Sequence, residues 1–122
     1  MADCIESKID IRGTGLHLRR GGSGEPMLFL HGASGVTGWI PTFQALSESH
    51  DLMVPDHPTY GLSDEPDWLD NMDDLAMFYL DFLDHMDLEG VHLVGNSLGG
   101  WLAMEMAVRN CTVKIHESGK KT

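Results

Sequence analysis

The sequence predicts an α/β domain built on a mainly parallel sheet that opens with an antiparallel hairpin. Short apolar runs alternate along the chain with segments of helical periodicity, the order typical of strand–helix–strand units. The run PMLFLHG (26–32) is continuously apolar and ends at glycine, as do strands buried on both faces of a parallel sheet. Near the start, apolar and polar residues alternate on both sides of Gly13-Thr14-Gly15, which indicates a hairpin turning at these residues.

The next elements are a short helix and a second buried strand. Pro41 suits the first turn of a helix, because its fixed φ is helical and its missing N–H has no partner there. This helix is expected to end near Ser47. The segment DLMVPDHP (51–58) predicts the next short strand, which Pro55 and Pro58 stop.

A long amphipathic helix is predicted after the turn-rich stretch 57–71. Asn71 is a favourable N-cap, and acidic residues follow it in the first turn. Apolar residues then recur at spacings of three and four, which gives one apolar face up to about Leu88: Leu75, Phe78, Tyr79, Phe82, Leu83 and Met86. We expect Gly90 to stop this helix.

Size and charge limit the possible partners. The chain has 122 residues, which is enough for one domain, and 42% of them are apolar, as in globular proteins. The formal net charge is −11, and nearly all Lys and Arg lie toward the two ends. Such a surface repels phosphates, so nucleic acid and anionic membranes are not expected as partners.

The sequence gives no indication of a cofactor or of a targeting segment. Cys4 and Cys111 are too few for a cysteine-based metal site, and no histidine pair has metal-ligand spacing, so we expect neither metal nor cofactor. The start MADCIESKID lacks the features of a signal peptide, and no apolar run approaches the roughly 18 residues that span a bilayer. A cytoplasmic protein is the expectation.

The segment HLVGNSLGGWLAME (92–105) raises the central question about function. A strand of β-branched and apolar residues is followed by Gly95-Asn96-Ser97-Leu98-Gly99 and then by a helix-forming run, which is the G-x-S-x-G pattern in its required context. The two glycines remove side chains that would collide at a cramped strand-to-helix turn. Free N–H groups at the helix N-terminus would then face the serine.

Two other interpretations of this turn remain open. It resembles an ordinary glycine-rich turn between a strand and a helix. A phosphate-binding turn is also conceivable, although neither G-x-G-x-x-G nor a following Walker lysine is present.

A second loop supports the interpretation of Ser97 as a nucleophile. His31-Gly32-Ala33 directly follows a buried strand, at the end of the sheet where ligands bind in such folds. A backbone N–H from this loop and the N–H of Leu98 would give two donors to a carbonyl oxygen that becomes negative.

From Ile9 to Asn110 the chain resembles the first half of an α/β-hydrolase. The resemblance is carried by the hairpin, the FLHG strand end, the loop PDHPTYGLSD, the long helix and the GNSLGG turn; Thr59 stands where the family commonly has glycine. It implies a truncated α/β-hydrolase core with Ser97 as nucleophile and the N–H groups of Ala33 and Leu98 as the oxyanion hole. The supporting residues would be His31, Gly32, Gly95, Asn96 and Gly99.

The resemblance also predicts a boundary between two segments of the chain. Residues 1–110 correspond to the N-terminal half of the family's domain. Residues 111–122 diverge from the family and are expected to form at most one edge strand followed by a disordered tail.

The base that would activate Ser97 is not evident. In the family the order is Ser, then Asp or Glu, then His, but only Glu105, Glu117 and His116 follow Ser97. Glu105 lies eight residues along a helix, about 12 Å away along its axis. His116 would reach Ser97 only by chance, so we expect the triad acid and histidine to be missing.

Three functional hypotheses follow. The first is a serine hydrolase acting on a small-molecule carboxylic ester, or on a related acyl or C–C substrate, through a Ser97 acyl-enzyme, and impaired by the incomplete triad. The second is a non-catalytic binding module. The third is a subunit that another chain completes, including by self-association through the open sheet edge. The sequence does not identify the substrate.

Overall fold

A computed structural model describes residues 4–110 and 113–118, with side chains described up to residue 114. Six strands form one mixed sheet: Ile5–Ile11 (β1), Thr14–Gly21 (β2), Glu25–Leu30 (β3), His50–Pro55 (β4), His92–Asn96 (β5) and Lys114–Ser118 (β6). Three helices accompany them: Pro41–Ser47 (α1), Met72–His85 (α2) and Leu98–Ala107 (α3). The strand order is β1-β2-β4-β3-β5-β6.

The predicted fold class is confirmed. Strands β3, β4, β5 and β6 pair in parallel, whereas β1 pairs antiparallel with β2 and β2 antiparallel with β4. The hairpin turn differs from the prediction, because it comprises Arg12 and Gly13 and not Gly13 to Gly15. Both turn residues have positive φ (51° and 89°), as two-residue hairpin turns of the favoured handedness require.

Most of the core lies between the sheet and the α2–α3 layer. The predicted apolar face of α2 is buried there, with Phe82 and Tyr79 fully enclosed. The helix begins as predicted, since the Asn71 side chain accepts the Asp74 N–H at 2.9 Å. It ends at His85, earlier than the expected Leu88, because Asp87 adopts a left-handed conformation (φ 57°) that interrupts the helix before Gly90.

The opposite sheet face carries a smaller core. The seven-residue helix α1 covers it, with Phe43 packed on apolar side chains of the parallel strands. No helix in the described part of the chain combines the length and apolar character needed to cross a bilayer.

Helix α3 lies very close to the sheet, and this closeness positions the site. A side chain on Gly99 would overlap the Leu30 carbonyl group, and one on Gly95 would overlap Gly99 and Gly100. Both positions therefore require glycine. As a result, the start of α3 is held against the carboxyl ends of β3 and β5.

Strand β6 forms the outer edge of the sheet. It pairs in parallel with β5, and His116 stands opposite Val94 in the backbone register. The division into residues 1–110 and a divergent tail remains a prediction, and its disordered part falls on residues outside those described.

Candidate active site

Ser97 lies at the turn between β5 and α3. Its backbone angles are φ 58° and ψ −115°, a conformation that non-glycine residues rarely adopt and that costs free energy of order 1–3 kcal/mol. The residue is exposed, although the glycines around it are buried. Strain at an exposed serine is typical of a residue presented for chemistry, and it is held here by the packing of α3.

The loop after β3 lies directly beside Ser97. A Cβ on Gly32 would stand 3.3 Å from the Ser97 Cβ and 3.0 Å from the Asn96 carbonyl oxygen, so only glycine permits this approach without a shift. Within the described residues, neither the Ala33 N–H nor the Leu98 N–H donates a hydrogen bond. Both predicted oxyanion donors therefore have no competing acceptor in the described part of the chain.

Two buried histidines brace this loop. The His31 Nε2 atom accepts the His57 N–H at 2.9 Å, and the His57 Nε2 atom lies 2.9 Å from the His31 carbonyl oxygen. The two rings stack with centroids 3.7 Å apart. The loops that follow β3 and β4 are thereby joined by two reciprocal hydrogen bonds.

The hydrogen-bond partners of His31 and His57 determine which ring nitrogen carries the proton in each residue. A carbonyl oxygen can only accept, so His57 carries its proton on Nε2, and its Nδ1 accepts from the Tyr79 hydroxyl at 2.7 Å. His31 accepts at Nε2, so its Nδ1–H donates to the Gly32 carbonyl at 2.6 Å. Burial, with a further contribution from His31, lowers the pKa of His57 to about 3, and burial also lowers the pKa of His31. Burial raises the pKa of Tyr79 well above its usual value.

A buried ionic cluster supports the loop after β4. Asp56 is 1% exposed; its carboxylate accepts from Arg19 at 2.9 Å and contacts His17 Nδ1 at 2.8 Å. The Leu62 N–H donates to the same carboxylate at 3.1 Å. Burial alone would raise the Asp56 pKa, but the hydrogen bonds from Arg19 and His17 outweigh burial and leave it lowered.

The end of this loop is hydrogen-bonded to the β1–β2 hairpin. Asp64 accepts the Gly15 N–H at 2.7 Å and its own N–H donates to the Gly15 carbonyl. Thr59, which stands where the family commonly has glycine, adopts φ 89°. The structure therefore gives the physical reason for glycine at this position, and shows a threonine in the same backbone conformation.

No described histidine is free to act as the base at this end of the sheet. All four ring nitrogens of His31 and His57 are occupied, as are both of His17, which bridges Asp56 and Glu6. His50 and His92 begin β4 and β5, at the amino ends of the strands and so opposite Ser97.

The remaining candidate partners also lie elsewhere or outside the described side chains. His85 is in the last turn of α2. Glu105 pairs with Arg109 at 3.0 Å and accepts from Trp101. For His116 only the backbone is described. Among the described residues, no group of three or more His, Cys, Asp or Glu is arranged to hold a metal ion.

A small depression lies next to the serine turn. It has a volume of about 120 Å³ and is lined by Phe29, Phe43, Asn96 and residues of the 35–40 loop. Of its lining residues, Asn96 directly precedes Ser97 in the chain.

The structure places Gly32 beside Ser97, the catalytic roles of Ser97, Ala33 and Leu98 remain predictions, and the sequence pattern does not indicate the residues that support these loops. One such supporting residue is His17, a buried strand residue paired with Asp56. The partnership of His57 with Tyr79 was also not foreseen. The only signal was Tyr79 itself, whose hydroxyl had to find a buried partner on the apolar face of α2.

The comparisons with known proteins agree with this geometry. Residues 25–116 match the family described as the alpha/beta hydrolase fold. The chain is 32% identical over 111 residues to 2-hydroxymuconate semialdehyde hydrolase from Pseudomonas sp. strain CF600, covering 87% of this chain and 39% of that protein. It is 31% identical over 93 residues to the dihydrolipoyllysine-residue acetyltransferase component of the acetoin cleaving system from Cupriavidus necator, covering 75% and 25%.

Solved structures show the same relationship. The crystal structure of E-2-(acetamidomethylene)succinate hydrolase superimposes with a TM-score of 0.84 at 27% identity, covering 92% of this chain and 43% of that one. The chain thus spans about a quarter to two fifths of the length of the curated relatives it matches. Because the family model matches residues 25–116, which are most of its residues, this chain belongs to the α/β-hydrolase fold family.

Proposed function

We propose that this chain provides the nucleophile and the oxyanion hole of an α/β-hydrolase-type serine hydrolase, acting on a carboxylic ester or a related acyl or C–C substrate. The observation that carries the proposal is the exposed, strained Ser97 with Gly32 packed against its Cβ. A carbonyl group bound there would have its carbon beside the serine Oγ. Its oxygen would lie between the N–H groups of Ala33 and Leu98, which have no acceptor among the described residues.

In the proposed reaction the Ser97 Oγ attacks the carbonyl carbon. The carbonyl π electrons move to oxygen, and the two N–H donors stabilise the resulting oxyanion. Collapse of this intermediate re-forms the carbonyl group, expels the leaving group and leaves an ester on Ser97, which water then hydrolyses. The serine proton must pass to a base and then to the leaving group.

The lack of a base among the described side chains limits the expected rate of acylation. Every ring nitrogen of the buried histidines near the site is already hydrogen-bonded, so the described side chains offer none for this transfer. A serine with an oxyanion hole and no base retains only part of the catalytic effect, on the order of 10³ over water. We therefore expect slow acylation, and faster turnover only where a histidine and a carboxylate are supplied from outside the described residues.

Replacing Ser97 with alanine is expected to abolish the chain's covalent labelling and its slow ester turnover. Ethoxyfluorophosphonate–biotin should add one label to the wild type, measured as intact mass, and p-nitrophenyl acetate should give a slow release of nitrophenolate. The matched control is Ser23→Ala, which removes an exposed loop serine just before β3. Equal labelling and equal ester rates for wild type and Ser97→Ala would exclude Ser97 chemistry.

A second candidate function is a subunit that binds another chain. Helix α3 and its C-cap residue expose three large apolar side chains at helical spacing, Trp101, Met104 and Val108, which are 56%, 57% and 77% exposed. The backbone of the edge strand β6 offers a further surface for pairing. Self-association would give a sedimentation coefficient that rises with protein concentration and falls in a Trp101→Ser variant. A concentration-independent monomer would contradict this function.

A further inference from the structure

We propose that Tyr79 and His57 are positioning residues for the oxyanion hole: the Tyr79 hydroxyl, acting through His57 and His31, fixes the direction of the Ala33 N–H. Neither side chain is exposed enough to meet a substrate, since both are fully buried. The inference deepens the proposed function and rests on it for its catalytic meaning, whereas the hydrogen-bond relay is testable by itself.

The peptide between Gly32 and Ala33 is the end of the relay. A trans peptide is planar, so its C=O and N–H point in opposite directions. The Gly32 carbonyl is held from one side by the His31 Nδ1–H at 2.6 Å and by the Gly35 N–H at 3.1 Å. With the carbonyl fixed in this way, the Ala33 N–H is directed to the opposite side of the peptide. Rotation of this peptide would require both hydrogen bonds to break.

The middle of the relay has only one proton arrangement. The His31 carbonyl must receive a proton from His57 Nε2, and the His57 N–H must be accepted by His31 Nε2. His57 Nδ1 then has no proton and needs a donor. Tyr79 supplies that donor at 2.7 Å, so every ring nitrogen is satisfied and each ring is neutral.

The start of the relay is anchored in the main core. Tyr79 lies in the middle of α2, 0% exposed, with its ring in edge contact with Phe78 and Phe82. At the other end of the relay, Ala33 is exposed. A rigid helix residue thus determines the orientation of a peptide in a loop, which is how supporting residues hold functional groups in place.

The first test uses ring and amide NMR signals. In ¹⁵N-labelled wild type, His31 should show the Nδ1–H tautomer and His57 the Nε2–H tautomer. Tyr79→Phe removes only the hydroxyl and should shift the His57 Nδ1 signal and the Ala33 amide signal. The matched control is Tyr60→Phe, since the Tyr60 ring makes edge contact with both His31 and His57. It should leave both signals unchanged.

The second test measures oxyanion-hole function with phenylboronic acid, which forms a tetrahedral adduct with a reactive serine. Tyr79→Phe should weaken its binding about tenfold, less than the 10²-fold or greater loss typical of deleting a donor. Tyr60→Phe should leave the affinity within about twofold, and thermal unfolding of each variant separates misfolding from misorientation.

A pair of substitutions at His31 keeps the proposal testable if Tyr79→Phe does not fold. Asparagine places an amide near the Nδ1 position and can still donate to the Gly32 carbonyl, whereas glutamine reaches the Nε2 position and cannot. His31→Asn should therefore retain more boronate affinity than His31→Gln. A role limited to filling space would instead favour His31→Gln, because glutamine is closer to histidine in volume.

The outcomes separate the two proposals. If phenylboronic acid binds wild type no better than Ser97→Ala, the proposed function fails, and the NMR signals alone decide the relay. The relay is overturned if His31 is found as the Nε2–H tautomer. It is also overturned if Tyr79→Phe folds and leaves the Ala33 amide signal and the boronate affinity of a binding-competent wild type unchanged.

Discussion

Replacing Asp56 with alanine is expected to lower the free energy of unfolding by about 3–5 kcal/mol, the range typical when one partner of a buried ion pair is removed. Arg19 is 8% exposed and His17 is 5% exposed, so both would remain buried without their carboxylate. The Leu62 N–H would also lose its acceptor. Small domains have total stabilities of only about 5–15 kcal/mol, so the variant should be largely unfolded or close to it.

The neighbouring ion pair between Arg20 and Asp51 provides a matched control for Asp56. Arg20, next to Arg19 on β2, pairs with Asp51 at 2.7 Å, but the side chains of this pair are 39% and 20% exposed. Asp51→Ala should cost less than about 1 kcal/mol, because water can solvate the released guanidinium. Urea unfolding followed by far-UV circular dichroism measures both variants. Equal losses for Asp51→Ala and Asp56→Ala would show that burial of the Asp56 cluster does not determine its contribution.

Acidification is expected to destabilise the protein well before its carboxylates are protonated. The pKa of His57 is lowered to about 3 in the folded state, mainly by burial, whereas an unfolded histidine titrates near 6.5. Between these values the unfolded chain binds more protons, so stability is complete above about pH 6.5 and falls as the pH falls toward 3. At about pH 4.5 the loss from His57 alone is about 2–3 kcal/mol.

His31 and Asp56 also contribute to the loss of stability at low pH. The lowered pKa of His31 adds a loss of the same sign. The lowered pKa of Asp56 matters only below about pH 5, where the unfolded carboxylate begins to be protonated. The interval from about pH 6.5 to 4.5 therefore reports mainly on the buried histidines.

A non-titrating variant isolates the contribution of His57. His57→Gln should show a smaller change in unfolding free energy between about pH 7 and pH 4.5 than wild type, by about 2–3 kcal/mol. His85→Gln, at an exposed position in the last turn of α2, should retain the wild-type change. An identical pH dependence in wild type and His57→Gln would contradict a neutral, buried His57.

Much of the fold could be predicted because its signals are local. The apolar run ending at Gly32, the N-cap Asn71 and the small residue Gly95 each reflect a requirement that acts within a few residues of the position. The serine turn was also predictable in this way, because strand, glycine, serine and helix are contiguous in the chain.

The support of the site was not predictable, because it depends on pairings between distant segments. His57 and Tyr79 are 22 residues apart, and His17 and Asp56 are 39 residues apart. Periodicity assigns each residue to a strand, helix or loop, but it does not indicate which polar groups meet. A histidine that is buried and neutral cannot be distinguished by sequence pattern from one that is exposed.

The parallel pairing of β3 with both β4 and β5 has a kinetic consequence. Gly32 and Ser97 lie just after β3 and β5, about 65 residues apart in the chain, so these two strands must pair before the residues are in contact. Contacts between such distant segments form slowly during folding, after the chain has lost the entropy of closing long loops. A reactive serine should therefore emerge late in refolding, so the time course of its covalent labelling would report completion of the sheet and not the earlier formation of helix.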